Sequence, residues 1–536
     1  HNYKVAQPGD IDIPLVSLCV IETESARIIP CDRQPQPATL LGPMEVGGVC
    51  WKGNNVYFLE LTRNRLTVRL VAFDPATGSS RVLVEESGEG NLYPGPLPLG
   101  EPIVKILPEI NEFIWYSQRS GWGHLYRYDL TTGALINVIT AGDYVVTKLH
   151  RVDIKTNRVF FSACGRESGH NPYYEHFYRT NLDGTNLVLL SPENSQHDVI
   201  APSSIPLVPS DPQGLGLSPD ATVFIDTFSR VDQASQSVLR STEDGVILMK
   251  LSHCDDAALI GIPYTPQISF SAKAADKETD LWGVIYRPSD FDETKCYPVI
   301  LCIYGTPHEC IAPTRFAQIS DRVRDVYRSL AELGFITVIV DPRGTPLRSK
   351  AFHNYAYGNL QNGGGIEDQV AAIKQLGQRY AWMDMDRVGI TGHSGGGFAS
   401  TRAMLSHADF FKVAVSSAGN HDQRINAAGW GEAFQNLLEG DNYEAQACVT
   451  LAEHLKGKLL LVHGDMDANV HIAHTLQLVD KLIEYNRDFD LLILPNRGHQ
   501  FAQDSYFIRR LWDYFVQHLL NETPPQHYRI TAAEKT

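Results

Sequence analysis

The chain has 536 residues, more than one hydrophobic core ordinarily supports, so at least two domains are expected. Hydrophobic residues at 43% and charged residues at 20% are ordinary for a soluble globular chain, and a formal net charge of -16 argues against nucleic acid as a partner. No apolar run approaches the ~18 residues that a membrane helix needs, and no signal peptide is visible.

The sequence does not choose among cytoplasmic, periplasmic and secreted locations. It begins at His1 rather than a methionine, and an upstream segment is expected to be missing. Nine cysteines (Cys19, Cys31, Cys50, Cys164, Cys254, Cys296, Cys302, Cys310 and Cys448) are scattered without a regular spacing, which argues against a disulfide scaffold but leaves one or two bridges open.

In the first half, a strand-like run, a polar turn and a second strand-like run recur. The turns fall at "IETESARI" (Glu22), "AFDPATGSS" (Asp74), "RYDLTTGAL" (Asp129), "TNLDGTNLV" (Asp183) and "RSTEDGVIL" (Asp244), at a pitch of about 55 residues. A constant pitch of hairpins favours propeller blades over an irregular sandwich: four complete blades and the tail of a fifth, hence an incomplete propeller over residues 1–262.

From Leu281 onward short apolar runs alternate with helical segments. The runs 298–304, 335–341, 387–391, 411–417, 458–464 and 489–495 read as buried parallel strands, and 368–380, 398–408, 474–486 and 505–520 as helices. Such alternation predicts an α/β domain over 263–536, with the boundary between Asp255 and Ser271 near the turn-prone "GIPYTPQ".

Within that domain, "GHSGGG" places Ser394 after a strand and before a helix, the position of a nucleophile elbow. A serine raised on so tight a turn tolerates only small neighbours, and the following helix directs free amides towards a developing oxyanion. A serine nucleophile needs a base and an orienting carboxylate. These are expected in "HGDMDANVH" and "RGHQF", each directly after a strand, making His499 the base and Asp467 the acid. Asp465 competes for the acid, and His463, His471 and His474 for the base. The histidines 454, 463, 471 and 474 lack the spacing of a zinc site, so no metal is expected.

The motifs "YPVILCIYGTPH", "DPRGT", "GGGIEDQ", "GHSGGGF", "HGDMDANVH" and "RGHQF", with "SQRSGWGHLYRYDLTTG" in the first half, resemble the prolyl oligopeptidase family of serine peptidases, dipeptidyl peptidase IV branch. The resemblance spans nearly the whole chain. It implies a propeller joined to an α/β-hydrolase domain, short peptide substrates, no metal or organic cofactor, and a homodimer. It places the triad at Ser394, Asp467 and His499, which selects Asp467 over Asp465. It implies oxyanion donors at Tyr304 and the Gly395 amide, a substrate-carbonyl contact at Asn469, and a pocket wall at Val470.

Two departures bear on specificity. Gly395 stands where the branch has a tyrosine against the substrate proline, so an enlarged pocket and relaxed proline preference are expected, with Trp430 the best replacement wall. The branch's paired glutamates for the substrate amine have no counterpart here; Glu85 and Glu86 read as solvated charge within a blade. The function expected is release of amino-terminal dipeptides. The alternatives are an acyl-aminoacyl peptidase or esterase on the same triad, or a non-catalytic propeller binding protein.

Overall fold

The computed structural model describes residues 5–38, 49–199, 216–254, 265–316, 326–362 and 364–530. Four four-stranded antiparallel sheets follow one another between residues 49 and 253, each built from strands consecutive in sequence. They are propeller blades, and their apolar faces pack sheet against sheet. Trp115 and Phe113 of the second blade meet Leu70 and Leu59 of the first, and Phe161 and Tyr178 of the third meet Tyr116 and Ile114 of the second.

The recurring polar turns join the third and fourth strands of each blade. In each, an aspartate at the strand end accepts a backbone amide across the turn: Asp74 from Ala76, Asp129 from Thr132, Asp183 from Thr185 and Asp244 from Val246. The turn at Glu22 joins the short pair Cys19–Ile21 and Ile28–Pro30. The boundary at residue 262 lies outside the described residues, as do residues 1–4 of the opening segment.

Beyond residue 265 an eight-stranded sheet runs in the order Ile268–Lys273, Asp280–Tyr286, Ile336–Asp341, Tyr297–Cys302, Met383–His393, Phe411–Ser417, Lys458–Gly464, Asp490–Leu494. The last six are mutually parallel, as the apolar runs imply, and the first two add antiparallel strands at one edge. Helices Ile366–Arg379, Gly395–Ser406 and Ala473–Glu484 cover one face; Val326–Glu332 and Ser505–Phe515 cover the other. The amphipathic Ser505–Phe515 buries Phe507, Leu511, Tyr514 and Phe515 against the sheet. This is the α/β-hydrolase arrangement. Helix Ala428–Gln435 is not legible from periodicity, because its sequence, AGWGEAFQ, has two glycines and only one short apolar stripe, Trp430, Ala433 and Phe434. All nine cysteines are unpaired.

Candidate active site

The strand Met383–His393 ends at the sheet's carboxyl edge and turns at once into the helix Gly395–Ser406. Ser394 makes that turn with φ 58 and ψ -120, a strained conformation for a residue with a Cβ. Its amide donates to Ser417 O at 2.8 Å, which ties the elbow to the neighbouring strand. Close packing demands the flanking glycines: a Cβ on Gly396 would lie 2.3 Å from Ile303 O.

Ser394, His499 and Asp467 form one hydrogen-bonded row. His499 Nε2 stands 2.9 Å from Ser394 Oγ, and His499 Nδ1 stands 2.7 Å from Asp467 Oδ2. The second oxygen of Asp467 accepts the amides of Asn469 and Val470 at 2.9 and 2.8 Å. Burial opposes ionisation of Asp467, but hydrogen bonds from His463 and His499 and the Val470 amide outweigh it and hold the carboxyl well below its usual range. Of those partners His499 has the better geometry. His463 Nε2 is 3.4 Å from Asp467 but donates to Val470 O at 2.8 Å.

The competing residues lie elsewhere. Asp465 is exposed and accepts the Asn496 amide. His471 is exposed and caps Ala473, and His474 is buried with its ring accepting the Asp422 amide. Among the described residues one cluster has the donor set of a metal site: Glu193, His197 and Asp226. Arg240 takes its place as the cation, bonding Asp226 at 2.8 Å and Glu193 at 2.7 Å. Glu86 is tied to Trp115 Nε1 and Ser117 Oγ rather than simply solvated.

A cavity of about 150 Å³ opens beside Ser394. Tyr304, Gly395, Trp430, Asn469 and Val470, all read from the sequence, line it. The expected enlargement at Gly395 is not found. A Cβ there would stand 2.2 Å from Thr306 Cγ2, so threonine fills the space that a side chain at 395 would use. His308 fills more, with its ring between Trp430 and Tyr304 and its Nε2 3.4 Å from the Tyr304 hydroxyl. Thr306 and His308 belong to the "YGTPH" that drew attention to Tyr304, yet nothing in their spacing marked them as pocket residues.

Leu99 also lines the cavity, and it comes from the propeller side. No local pattern could have placed it there. A second, open groove of about 770 Å³ shares Asn426, Ala427 and Asn469 with the cavity and continues past Asp10 and Asp12.

Fold and site together define a serine-centred α/β-hydrolase domain capped by propeller sheets. Family comparisons agree: the profile of the "Prolyl oligopeptidase family" matches residues 322–522, and that of the "Dipeptidyl peptidase IV (DPP IV) N-terminal region" matches 1–234. The chain belongs to the prolyl oligopeptidase family and is dipeptidyl peptidase IV-like.

It is 32% identical over 268 residues to dipeptidyl peptidase 8 of Homo sapiens, covering 48% of this chain and 28% of that one. It is 26% identical over 515 residues to dipeptidyl peptidase 4 of Trichophyton equinum, covering 91% and 62% respectively. It thus spans less than two thirds of the length of these relatives. Its fold matches a putative dipeptidyl aminopeptidase IV from Bacteroides ovatus with TM-score 0.82 at 23% identity, covering 97% of this chain and 72% of the other. It also matches Porphyromonas gingivalis dipeptidyl peptidase 4 with TM-score 0.77 at 22% identity, covering 96% and 69%. Among the described residues no helix is long and apolar enough to cross a membrane.

Proposed function

We propose that the chain is a serine peptidase that hydrolyses short peptides and releases dipeptides from a free amino terminus, with its catalytic domain over 263–536 and its propeller over 1–262. The observation that carries this reading is the row Ser394–His499–Asp467 at a strand-to-helix elbow. Kinship with dipeptidyl peptidases supports the substrate class. The groove that shares Asn426, Ala427 and Asn469 with the cavity offers room for an extended peptide.

In this mechanism Ser394 Oγ attacks the scissile carbonyl as its proton passes to His499 Nε2. Asp467 holds the imidazole through Nδ1 and stabilises the imidazolium. The tetrahedral oxyanion is met by the Gly395 amide at the head of the helix and by the Tyr304 hydroxyl. His499 returns the proton to the leaving amine, and water hydrolyses the acyl-enzyme by the same route. Trp430 and Val470 wall the pocket for the residue before the cleaved bond, and Asn469 holds a substrate carbonyl. Proline preference is relaxed because the wall beside the nucleophile is the Thr306 methyl and not an aromatic face, although the pocket is no larger for it.

Paired chromogenic dipeptides, Ala-Pro and Ala-Ala, with free or acetylated amines, test this against Ser394→Ala. Turnover of the free amines alone, lost in the variant, is the expected result. Equal turnover of the acetylated compounds would point instead to an acyl-aminoacyl peptidase or esterase, and absence of serine-dependent turnover to a binding role. A homodimer, which the family resemblance implies, is tested by sedimentation.

A further inference from the structure

The pocket beside Ser394 has walls from both halves of the chain, Trp430 from the hydrolase side and Leu99 from the propeller. Both are held by one tight turn of the first blade, "TRNR", between strands Asn55–Leu61 and Thr67–Phe73. The turn closes on itself through the Arg65 amide and Thr62 O at 2.8 Å.

From it Arg63 reaches the hydrolase side and grips Glu432 with two hydrogen bonds of 2.6 Å, Nε to Oε2 and Nη2 to Oε1. Glu432 is 1% exposed and sits on the helix Ala428–Gln435, two residues beyond Trp430. Asn64 bonds Asn436 Oδ1 at 3.1 Å, just past the end of that helix. Arg65 turns the other way and donates to Pro98 O at 2.8 Å, next to Leu99.

The last turn of this helix is held by the Asn91 side-chain amide on Ala433 O at 2.9 Å, the Gly358 amide on Phe434 O at 2.8 Å and the packing of Ala433 and Phe434 on Leu360, so the bonds from Arg63 bear on the turn before it, which carries Trp430. The helix lacks a side-chain cap, and its first amide is satisfied by Ala6 O at 2.7 Å, again from the propeller side. A buried carboxylate that loses its bidentate partner keeps only the Gly9 amide at 3.3 Å, so it either takes up a proton or draws the helix towards water, and both loosen the turn that carries Trp430.

We propose that Arg63 is a positioning residue that sets the substrate pocket across the domain interface, holding Trp430 in place through Glu432, while Arg65 from the same turn holds Leu99 opposite. The proposal rests on the peptidase reading above for its kinetic consequence, but not for its structural one. Substrate fit is then decided jointly by the two domains, and the chemistry at Ser394 is not touched.

The test compares Arg63→Met and Arg63→Lys with the unaltered chain by steady-state kinetics on Ala-Pro and Ala-Ala chromogenic amides, by the rate of Ser394 labelling with a small fluorophosphonate, and by amide exchange of residues 428–435. Arg63→Met is expected to raise KM about tenfold with kcat within about threefold. Labelling stays at its original rate, and exchange of 428–435 quickens. Arg63→Lys, which keeps the charge but not the fork, falls between. The reversed pair Arg63→Glu with Glu432→Arg recovers part of the lost KM.

An unchanged KM and unchanged exchange in Arg63→Met would overturn the proposal. So would a parallel fall of kcat and labelling, which marks general disruption. Should Arg63→Met fail to fold, Arg63→Lys with normal KM and normal exchange would overturn it equally. If the unaltered chain shows no Ser394-dependent turnover, the peptidase reading fails, and exchange at 428–435 still decides whether Arg63 holds the helix.

Discussion

Thr306 occupies the place that any side chain on Gly395 would need, with its Cγ2 2.2 Å from the position of a Cβ at 395. The two residues are therefore matched in size across the mouth of the pocket. Gly395→Ala is expected to lower kcat/KM at least about tenfold, since the new methyl displaces either Thr306 or the elbow itself. Thr306→Ser removes the clashing methyl, so the double variant should recover most of the loss. Steady-state kinetics on one dipeptide amide decides it; a double variant no better than Gly395→Ala would contradict the match.

His393, the residue before the nucleophile, donates from Nε2 to the carbonyl of His499 at 2.9 Å, while Ser417 Oγ lies 2.9 Å from its Nδ1. Burial pushes its imidazole down to about 3, so it stays neutral at working pH and keeps this tautomer. Replacing it with phenylalanine removes the tether on the His499 loop. We expect kcat and the rate of fluorophosphonate labelling to fall together by about tenfold or more, with KM little changed. His393→Gln, which retains a donor, should lose less.

Asp465 and Asp467 are two residues apart, but only Asp467 bonds His499. Asp467→Asn should lower kcat by about 10⁴, because the amide no longer enforces the tautomer that leaves Nε2 free to take the serine proton. Asp465→Asn should remain within about twofold. Comparable losses in both would contradict the assignment.

Stability should fall on mild acidification. Burial pushes His150, His393 and His474 down to about 3 and His176 to about 4. The unfolded chain therefore takes up protons first as pH drops below the ordinary histidine value, and stability present above about 6.5 is lost progressively towards those folded values. Asp341 works in the opposite direction: burial pushes it up to about 7 although it accepts the Ile311 and Ala312 amides, so its neutral form favours the fold as pH falls. The four histidines outnumber it. Chemical denaturation between pH 7 and 4.5 should show the decline, and His150→Gln should flatten it by up to ~1.4 kcal/mol per pH unit. A stability that rises on acidification would contradict this reading.

Periodicity exposed the six parallel strands and four of the helices packed on them, because buried strands and amphipathic helices write their burial into consecutive residues; the seven-residue helix Val326–Glu332 is too short to do so. The aspartate turns of the blades were equally plain, since each is a local solution to one backbone problem. Helix Ala428–Gln435 escaped notice because its place depends on Arg63, Ala6 and Asn436 rather than on its own propensity. Thr306 and His308 belong to the motif that carries Tyr304, but their role depends on how the loop after strand Tyr297–Cys302 folds back against Gly395.

By itself the sequence determined the alternation of elements, the blade pitch and the order serine, acid, histidine, all of which are expressed along the chain in residues close to one another. Tertiary structure alone decided that the space beside Gly395 is filled by Thr306, that Leu99 of the propeller reaches the cavity, and that the turn carrying Arg63 and Arg65 holds both walls. Those are contacts between residues tens to hundreds of positions apart, and they arise from packing and from the need to pair a buried charge, which no spacing in the sequence records.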